Sequence, residues 1–145
     1  MKTEGMVHAL EKAASCLNQG GVILEVHDLV DPPRIEVHSD NGEFFAGQLL
    51  SEDNFEDYRQ ADNALNHLVA AGLLYSDQAF IFENYIRADS FDSLLQYLEE
   101  EWESAYILEA TKDRVIELVA DASGDSEVVL RMVSRINLLR KSGNM

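Results

Sequence analysis

Hydrophobic and polar positions repeat along this chain in the two spacings that separate helices from strands. Apolar residues recur every three or four positions in four segments, and each of these segments predicts an amphipathic helix. Three further segments carry compact or alternating apolar runs and predict strands. The predicted helices are 3–17, 55–71, 91–102 and 105–122, and the predicted strands are 22–27, 73–88 and 127–140. The last two strands are long enough to pair with each other antiparallel.

A β-hairpin is predicted between the first strand and the second helix. Residues 34–38 alternate polar and apolar side chains, and a second short apolar run follows. Asn41-Gly42 between the two runs is a strong signal for a tight hairpin turn. We place this hairpin outside the main sheet. The fold predicted for residues 1–145 is a single α/β domain with a small mixed sheet of about three main strands, four flanking helices and a side hairpin.

The first strand is apolar from Val22 to Val26, interrupted only by Glu25. A strand that is apolar on consecutive residues is usually covered on both faces. Polar side chains gather at its carboxyl end, before Pro32-Pro33 leaves regular structure. In α/β sheets ligands bind at the carboxyl ends of strands, so this end and the helix after the hairpin are where a ligand is expected. The candidate ligand-side residues are Glu25, His27, Asp28, Tyr58 and Arg59.

Composition and charge narrow the classes of function. The chain has 27 acidic residues against 11 basic ones, a net charge of −16. This charge argues against non-specific nucleic-acid binding and against docking to an anionic membrane. The single cysteine, Cys16, excludes an internal disulfide. Neither a signal peptide nor an apolar run of about 18 residues is found, so a cytoplasmic location is expected.

The histidines give little support for a metal site or for a catalytic role. Glu36, His38, His27 and Asp28 are ligand types that zinc or iron accepts. Their spacing is not tight, so no metal site is predicted. His27 with Asp28 could form a general base and its orienting carboxylate, but adjacent residues on a strand point to opposite faces. No catalytic residue is assigned.

Two segments and the order of elements point to a known family. Residues 17–26 read Leu-Asn-Gln-Gly-Gly-Val-Ile-Leu-Glu-Val, and residues 90–98 read Ser-Phe-Asp-Ser-Leu-Leu-Gln-Tyr-Leu. The chain resembles the carboxyl-terminal half of a class I S-adenosylmethionine-dependent methyltransferase, where a helix and a Gly-Gly turn lead into the fifth strand. The resemblance covers almost the whole chain. It implies half of a Rossmann-like fold, with strand 127–140 antiparallel between strands 22–27 and 73–88.

The same resemblance implies that the cofactor-binding half is missing. Family members hold S-adenosylmethionine with a Gly-x-Gly-x-Gly turn after the first strand and an acidic residue at the end of the second. This chain contains no Gly-x-Gly pattern. The resemblance therefore carries over no catalytic and no cofactor-binding residue. S-adenosylmethionine is expected as a cofactor only if another chain supplies the missing half.

A strand without its usual neighbours presents an unpaired edge, and such an edge invites pairing with another chain. That edge is expected along Val22, Ile23, Leu24 and Val26. The expected partner is a second copy of the chain, giving a homodimer, or a chain that supplies the missing sheet. The first expected function is a non-catalytic binding or assembly module. Two alternatives stay open: a subunit of a split or dimer-completed methyltransferase, and a small-ligand-binding protein that uses a dimer cleft.

Overall fold

The computed structural model describes residues 2–53 and 55–143. The helices are α1 (Thr3–Ser15), α2 (Glu56–Ala70), α3 (Phe91–Glu101) and α4 (Glu109–Asp121). The strands are β1 (Val22–Asp28), β2 (Arg34–Ser39), β3 (Gly42–Gln48), β4 (Leu50–Ser51), β5 (Leu74–Ala88), β6 (Ala105–Tyr106) and β7 (Ser126–Lys141). The four predicted helices and the three predicted long strands are all present, so the α/β class is confirmed.

The start of α3 and the end of α1 each have a local cause in the sequence. Ser90 caps α3, because its hydroxyl accepts a hydrogen bond of 3.1 Å from the backbone N–H of Ser93. After α1, Gly20 adopts a φ of 80°, which glycine accepts without the strain of a Cβ. The predicted start of the fourth helix is wrong, because Ala105–Tyr106 instead pairs with β4 as the short strand β6.

The strands pair into a five-stranded and a two-stranded sheet. The first has the order β1-β7-β2-β3, with β5 also paired to β7, and the second joins β4 to β6. The registers of β1 with β7, β2 with β3, β2 with β7 and β4 with β6 are all antiparallel. The chain also divides into two compact units, and β5 and β7 contribute residues to both. A single domain over residues 1–145 stays a prediction.

Unit 1 comprises Met1–Val30, Glu56–Phe82 and Ser134–Met145. In this unit β1 pairs with β7 along its whole length. Strand β5 pairs with the same stretch of β7, as shown by the Arg140–Asp77 contact and the hydrogen bond from Ser142 N to Leu73 O. Both neighbours adjoin the carboxyl-terminal end of β7, so we infer that they lie on its opposite edges there, in the order β1-β7-β5. The buried core residues are Ala14, Leu65, Leu68, Leu74 and Leu139.

Unit 2 comprises Asp31–Phe55 and Glu83–Val133. Here β2 lies between β7 and β3. The core is larger and draws on β2, β5, β7, α3 and α4; its buried members are Ile35, Val37, Leu49, Ala88, Leu94, Leu98, Ile107, Val115, Leu118, Val128 and Leu130. Strand β3 comes close to α4 at Gly47, where a Cβ would lie 2.3 Å from Thr111 Oγ1. Glycine is required there because the helix leaves no room for a side chain.

The predicted hairpin exists, but its predicted place outside the main sheet is wrong. Ser39 pairs with Gly42 across the turn, as the Asn41-Gly42 signal predicted. Strand β2, however, pairs with β7 from Arg34 to Ser39. The reason is the length of β7: β1 occupies only its second half, and the first half offers backbone groups that need a partner. The main sheet therefore has five strands and not about three.

The prediction that β1 is covered on both faces is also wrong. Ile23 is half-buried and packs against the core of unit 1. Leu24 and Val26, on the opposite face, are 67% and 57% exposed. The consecutive apolar residues of β1 therefore lie on two faces. Ile23 lies on the face toward the core, and Leu24 and Val26 lie on the face toward solvent. The two helices of unit 1 cover the first face only.

Candidate functional site

The register of β1 with β7 places a row of polar side chains on one face of unit 1. Glu25 lies opposite Asn137, and His27 lies opposite Arg135. Side chains alternate along a strand, so Glu25 and His27 share the face that packs on the core of unit 1. Helix α2, which covers this face, contributes Asp62. We call these five residues the His27 network.

Most polar groups of the His27 network have a partner of opposite character, but Arg135 Nε is buried without a hydrogen-bond partner among the described residues. The Nδ1 of His27 contacts Glu25 Oε1, and its Nε2 lies 2.9 Å from Asp62 Oδ1. Asn137 Nδ2 donates to Glu25 Oε2 at 2.8 Å. Arg135 Nη2 donates to the same Asp62 oxygen that His27 contacts. One carboxylate oxygen on α2 therefore binds cationic groups from both β1 and β7.

The electrostatics of the network favour a protonated His27. The hydrogen bond to Glu25 raises the pKa of the His27 imidazole; burial opposes this, and the charge of Glu25 and the contact with Asp62 add to it. Burial tends to raise the pKa of the Glu25 carboxyl, but hydrogen bonds from His27 and Asn137 and the charges of His27 and Arg135 outweigh it, so this pKa is lowered. With His27 protonated, two cations face two carboxylates.

Stability is therefore expected to depend on pH in a defined direction. Because the pKa of His27 is raised on folding, its contribution is complete below the ordinary value of 6.5 and is lost as pH rises through the folded-state pKa. The lowered pKa of Glu25 acts oppositely: its contribution is present above 4.5 and is lost as pH falls through the folded-state value. Urea unfolding from pH 6 upward should show a falling free energy of unfolding.

Two histidine variants test whether His27 causes the expected decline of the free energy of unfolding above pH 6. His27→Gln should flatten the decline above pH 6, because the titrating group is gone. His67→Gln replaces an exposed histidine of α2 and should leave the decline unchanged. An equal decline in His27→Gln and the unchanged protein would show that the His27 network is not its source.

The His27 network is arranged for structure more than for acid–base catalysis. A general base needs a nitrogen within reach of a substrate proton. Both nitrogens of His27 contact carboxylates, and its side chain is only 9% exposed. The network instead ties α2 to the two strands beneath it. Glu25 also lines an apolar groove between α1 and α2.

The remaining candidates from the sequence lie elsewhere in unit 1. Asp28 accepts a hydrogen bond of 3.3 Å from the hydroxyl of Tyr58 and another from Ser134. Arg59 Nη1 lies 3.7 Å from the carboxylate of Glu56, one turn earlier on α2. The structure thus brings Glu25 and His27 together and places Asp28 with Tyr58.

Unit 2 contains a second buried ionic cluster, centred on Glu36. The Glu36 side chain is 5% exposed and contacts Arg34 Nε at 3.0 Å, His38 Nε2 at 2.8 Å and Arg131 Nη2 at 2.9 Å. Burial tends to raise the pKa of Glu36, but the hydrogen bonds from His38 and Arg34 and the charge of Arg131 lower it. Arg131 also reaches Glu43 at 3.0 Å.

The Glu36 cluster includes residue types that bind metals. Glu36, His38 and Glu43 could place one ligand atom each within 4.8 Å of one another. The guanidinium of Arg131 already donates to both glutamates, so it supplies the positive charge that these carboxylates need. An ion at this position would have to displace or repel Arg131. The cluster is accounted for as a set of ion pairs.

Asn137 and Ser134 were not identified as site residues from the sequence. Both belong to β7 and contact the candidate residues only because β7 pairs with β1 in one particular register. The only sequence signal was the presence of polar side chains inside a long apolar strand. Arg135 was visible as a basic residue, but its partner Asp62 lies on a helix 73 positions away.

Comparisons with known proteins add no relative. No protein-family model, curated protein or solved structure matches this chain. Among the described helices, none combines the length and the apolar character needed to cross a membrane.

Proposed function

We propose that this chain is a non-catalytic binding or assembly module that forms a homodimer through β1. The observation that supports the proposal is an uncovered apolar face of unit 1 beside an open strand edge. Strand β1 is last in the order of the main sheet, with β7 as its neighbour among the described strands. Leu24 and Val26 are largely exposed. An exposed apolar edge strand is a template for pairing with another chain.

The apolar face extends from β1 across the sheet of unit 1. Leu24 lies opposite Leu138 and Val26 lies opposite Ile136 in the β1·β7 register. On β5, Ile81 has the same parity as Asp77, which contacts Arg140 on this face. Ile81 is 66% exposed. Contiguous apolar surface of this kind marks an interaction site more often than scattered exposed residues do.

A two-fold axis at Leu24 makes the edge complementary to itself. In an antiparallel pair centred there, Leu24 faces Leu24 of the second copy, and Val22 faces Val26. The alternative centre at Glu25 would place two carboxylates directly opposite, which is destabilising. Isologous two-fold contacts are the commonest form of oligomer. We therefore favour the register centred on Leu24.

The dimer is expected to be weak. Stable interfaces bury about 800 Å² on each partner, and one strand edge with its adjoining apolar face provides less. The net charge of −16 adds repulsion between copies, and salt screens that repulsion. Sedimentation equilibrium should show association that strengthens with protein concentration and with salt. Leu24→Asp should abolish it, whereas a monomer at all concentrations would refute the proposal.

Crosslinking tests the register. In a Cys16→Ser background, Leu24→Cys should form an intermolecular disulfide under mild oxidation, because the two-fold axis brings the two thiols together. Val69→Cys, at an exposed position of α2, is the matched control and should crosslink slowly. Equal rates for the two variants would contradict pairing centred on Leu24.

A split methyltransferase is the second candidate. The placement of β7 between β1 and β5 in unit 1, with β7 antiparallel to β1, is what the family resemblance implies for its fifth, seventh and sixth strands. This order supports the candidate without supplying a cofactor site. Calorimetric titration with S-adenosylmethionine separates the two functions. No heat with the isolated chain, and heat after a glycine-rich partner chain is added, would favour the split enzyme.

A further inference from the structure

A cavity of about 310 Å³ opens in unit 2 beside the carboxyl end of α3. Leu95, Leu98 and the C-cap residue Trp102 line it from the helix, and Tyr106 lines it from β6. Ligand pockets typically measure about 300–1,000 Å³ and have apolar and aromatic walls with a few polar groups. The cavity therefore has the size and the lining of a site for one small molecule.

The ring of Trp102 is held by packing inside unit 2. It contacts the ring of Phe55 edge-on, with 6.0 Å between the ring centroids and 75° between the ring planes. Phe55 is 5% exposed and adopts a φ of 58°, a left-handed conformation that is rare for a bulky side chain. Such a conformation persists where the surrounding structure holds the residue. One aromatic wall of the cavity is therefore fixed without a ligand.

The lining of this cavity also includes two carboxylates. Glu99 lies one turn after Leu95 on α3, so both side chains occupy the same face of the helix, and Glu103 follows the helix end. Neither glutamate forms a hydrogen bond or an ion pair with another residue in the described part of the chain. The cation of the lining, Lys112, already has a carboxylate of its own, because its Nζ lies 3.3 Å from Glu109 Oε1. The lining therefore keeps an excess of negative charge.

The end of α3 adds to this negative charge. Its last turn contains Glu99, Glu100 and Glu101 and no basic residue. The carboxyl end of a helix carries a partial negative charge, so a cation is stabilising there and a carboxylate is not. A cation in the cavity would relieve this repulsion. Charge complementarity therefore favours a positively charged occupant over a neutral or anionic one.

We propose that the cavity beside α3 binds a small quaternary ammonium compound, with its cationic group against the rings of Trp102 and Tyr106 and close to Glu99. Aromatic rings attract such a cation through the negative charge of their faces, and Trp attracts it most strongly. A primary ammonium group has three N–H donors that need acceptors, and the two rings do not satisfy them as carbonyl or carboxylate oxygens do. Recognition therefore needs both the methyl groups and the charge.

Titration with choline tests the proposal. Trp102 is the only tryptophan of the chain, so its fluorescence reports on the cavity directly, and calorimetry measures the affinity independently. The alcohol 3,3-dimethylbutan-1-ol has the shape of choline without the charge, and ethanolamine has the charge without the methyl groups. Choline is expected to bind at millimolar concentration and about fivefold or more tightly than either control. Equal affinity for either control, or no choline binding by both methods, would overturn the proposal.

Variants at exposed positions place choline in the cavity without disturbing the core. Glu99→Gln is expected to weaken choline binding about fivefold. Glu100→Gln makes the same charge change at the next position, which does not line the cavity, and should alter the affinity less than about twofold. Equal losses in these two variants would show diffuse attraction to the acidic end of α3 and would overturn the assignment to the cavity.

Tyr106 tests the aromatic contact in the same way. Tyr106→Leu should weaken choline binding about fivefold, because it removes a ring from the lining. Tyr106→Phe keeps the ring and should retain the affinity. Equal affinities in the two variants would contradict a contact between the ring of Tyr106 and the cation.

The cavity and the proposed dimer can fail separately. The lining residues belong to unit 2, whereas β1 belongs to unit 1. The Leu24→Asp variant should therefore bind choline as the unchanged chain does. Loss of binding in that variant would place choline at the dimer interface and overturn the site beside α3.

Discussion

Replacing Glu36 with alanine is expected to lower the free energy of unfolding by about 3–5 kcal/mol, the usual cost of removing one partner from a buried ionic group. Glu36 is 5% exposed and is the shared acceptor for Arg34, His38 and Arg131. Without it, the half-buried guanidinium of Arg131 loses its most enclosed counter-ion. Urea denaturation measures the change as a shift of midpoint at constant slope.

Glu43→Ala is the matched control for that variant. Glu43 contacts the same Arg131 guanidinium at 3.0 Å, but its side chain is 61% exposed. Exposed ion pairs typically contribute about 0–1 kcal/mol, because water screens the charges and the free side chains keep their entropy. Similar losses for Glu36→Ala and Glu43→Ala would show that burial of Glu36 does not control its contribution.

Local signals in the sequence were sufficient for most elements. Ser90 directly before a helical stripe is such a signal, and it caps α3, because capping depends on a side chain and backbone groups only three residues apart. Asn41-Gly42 predicts the hairpin turn for the same reason. The helix stripes and the long aromatic strand β5 also depend on neighbours in sequence. These features are independent of which distant segment packs beside them.

Several features that depend on distant neighbours were not predicted correctly. The apolar run in β1 was interpreted as burial on both faces, but hydrophobicity alone does not say whether a covering layer exists. Likewise, residues 34–39 have the pattern of a hairpin strand, and nothing in that pattern shows that they pair with β7. The partners of Glu25 and His27 follow from the β1·β7 register, which joins residues more than 100 positions apart.

Strand β7 is the clearest example of a strand whose buried face cannot be identified from its own sequence. Both of its faces are apolar, so alternation alone does not identify the buried one. In unit 2 the core contains the even-numbered Val128 and Leu130, whereas in unit 1 it contains the odd-numbered Leu139. Leu138 is only half-buried and faces the open side with Leu24.

Leu139→Ala is expected to lower the free energy of unfolding by about 3–5 kcal/mol. Leu139 is fully buried, so truncation loses transfer free energy and leaves a cavity beside Leu74 and Leu68. The matched variant Leu138→Ala removes the same atoms from the adjacent position. It should cost about 1 kcal/mol, because solvent already reaches part of the side chain and no closed cavity forms.

Both variants should be measured by urea unfolding in the Leu24→Asp background, so that dimer formation does not protect Leu138. A loss for Leu138→Ala equal to or greater than that for Leu139→Ala would mean that the even-numbered face is the buried one in unit 1. In that case Leu24 and Val26, on the same face as Leu138, would lie against a core. The apolar edge required for the proposed homodimer would then be absent.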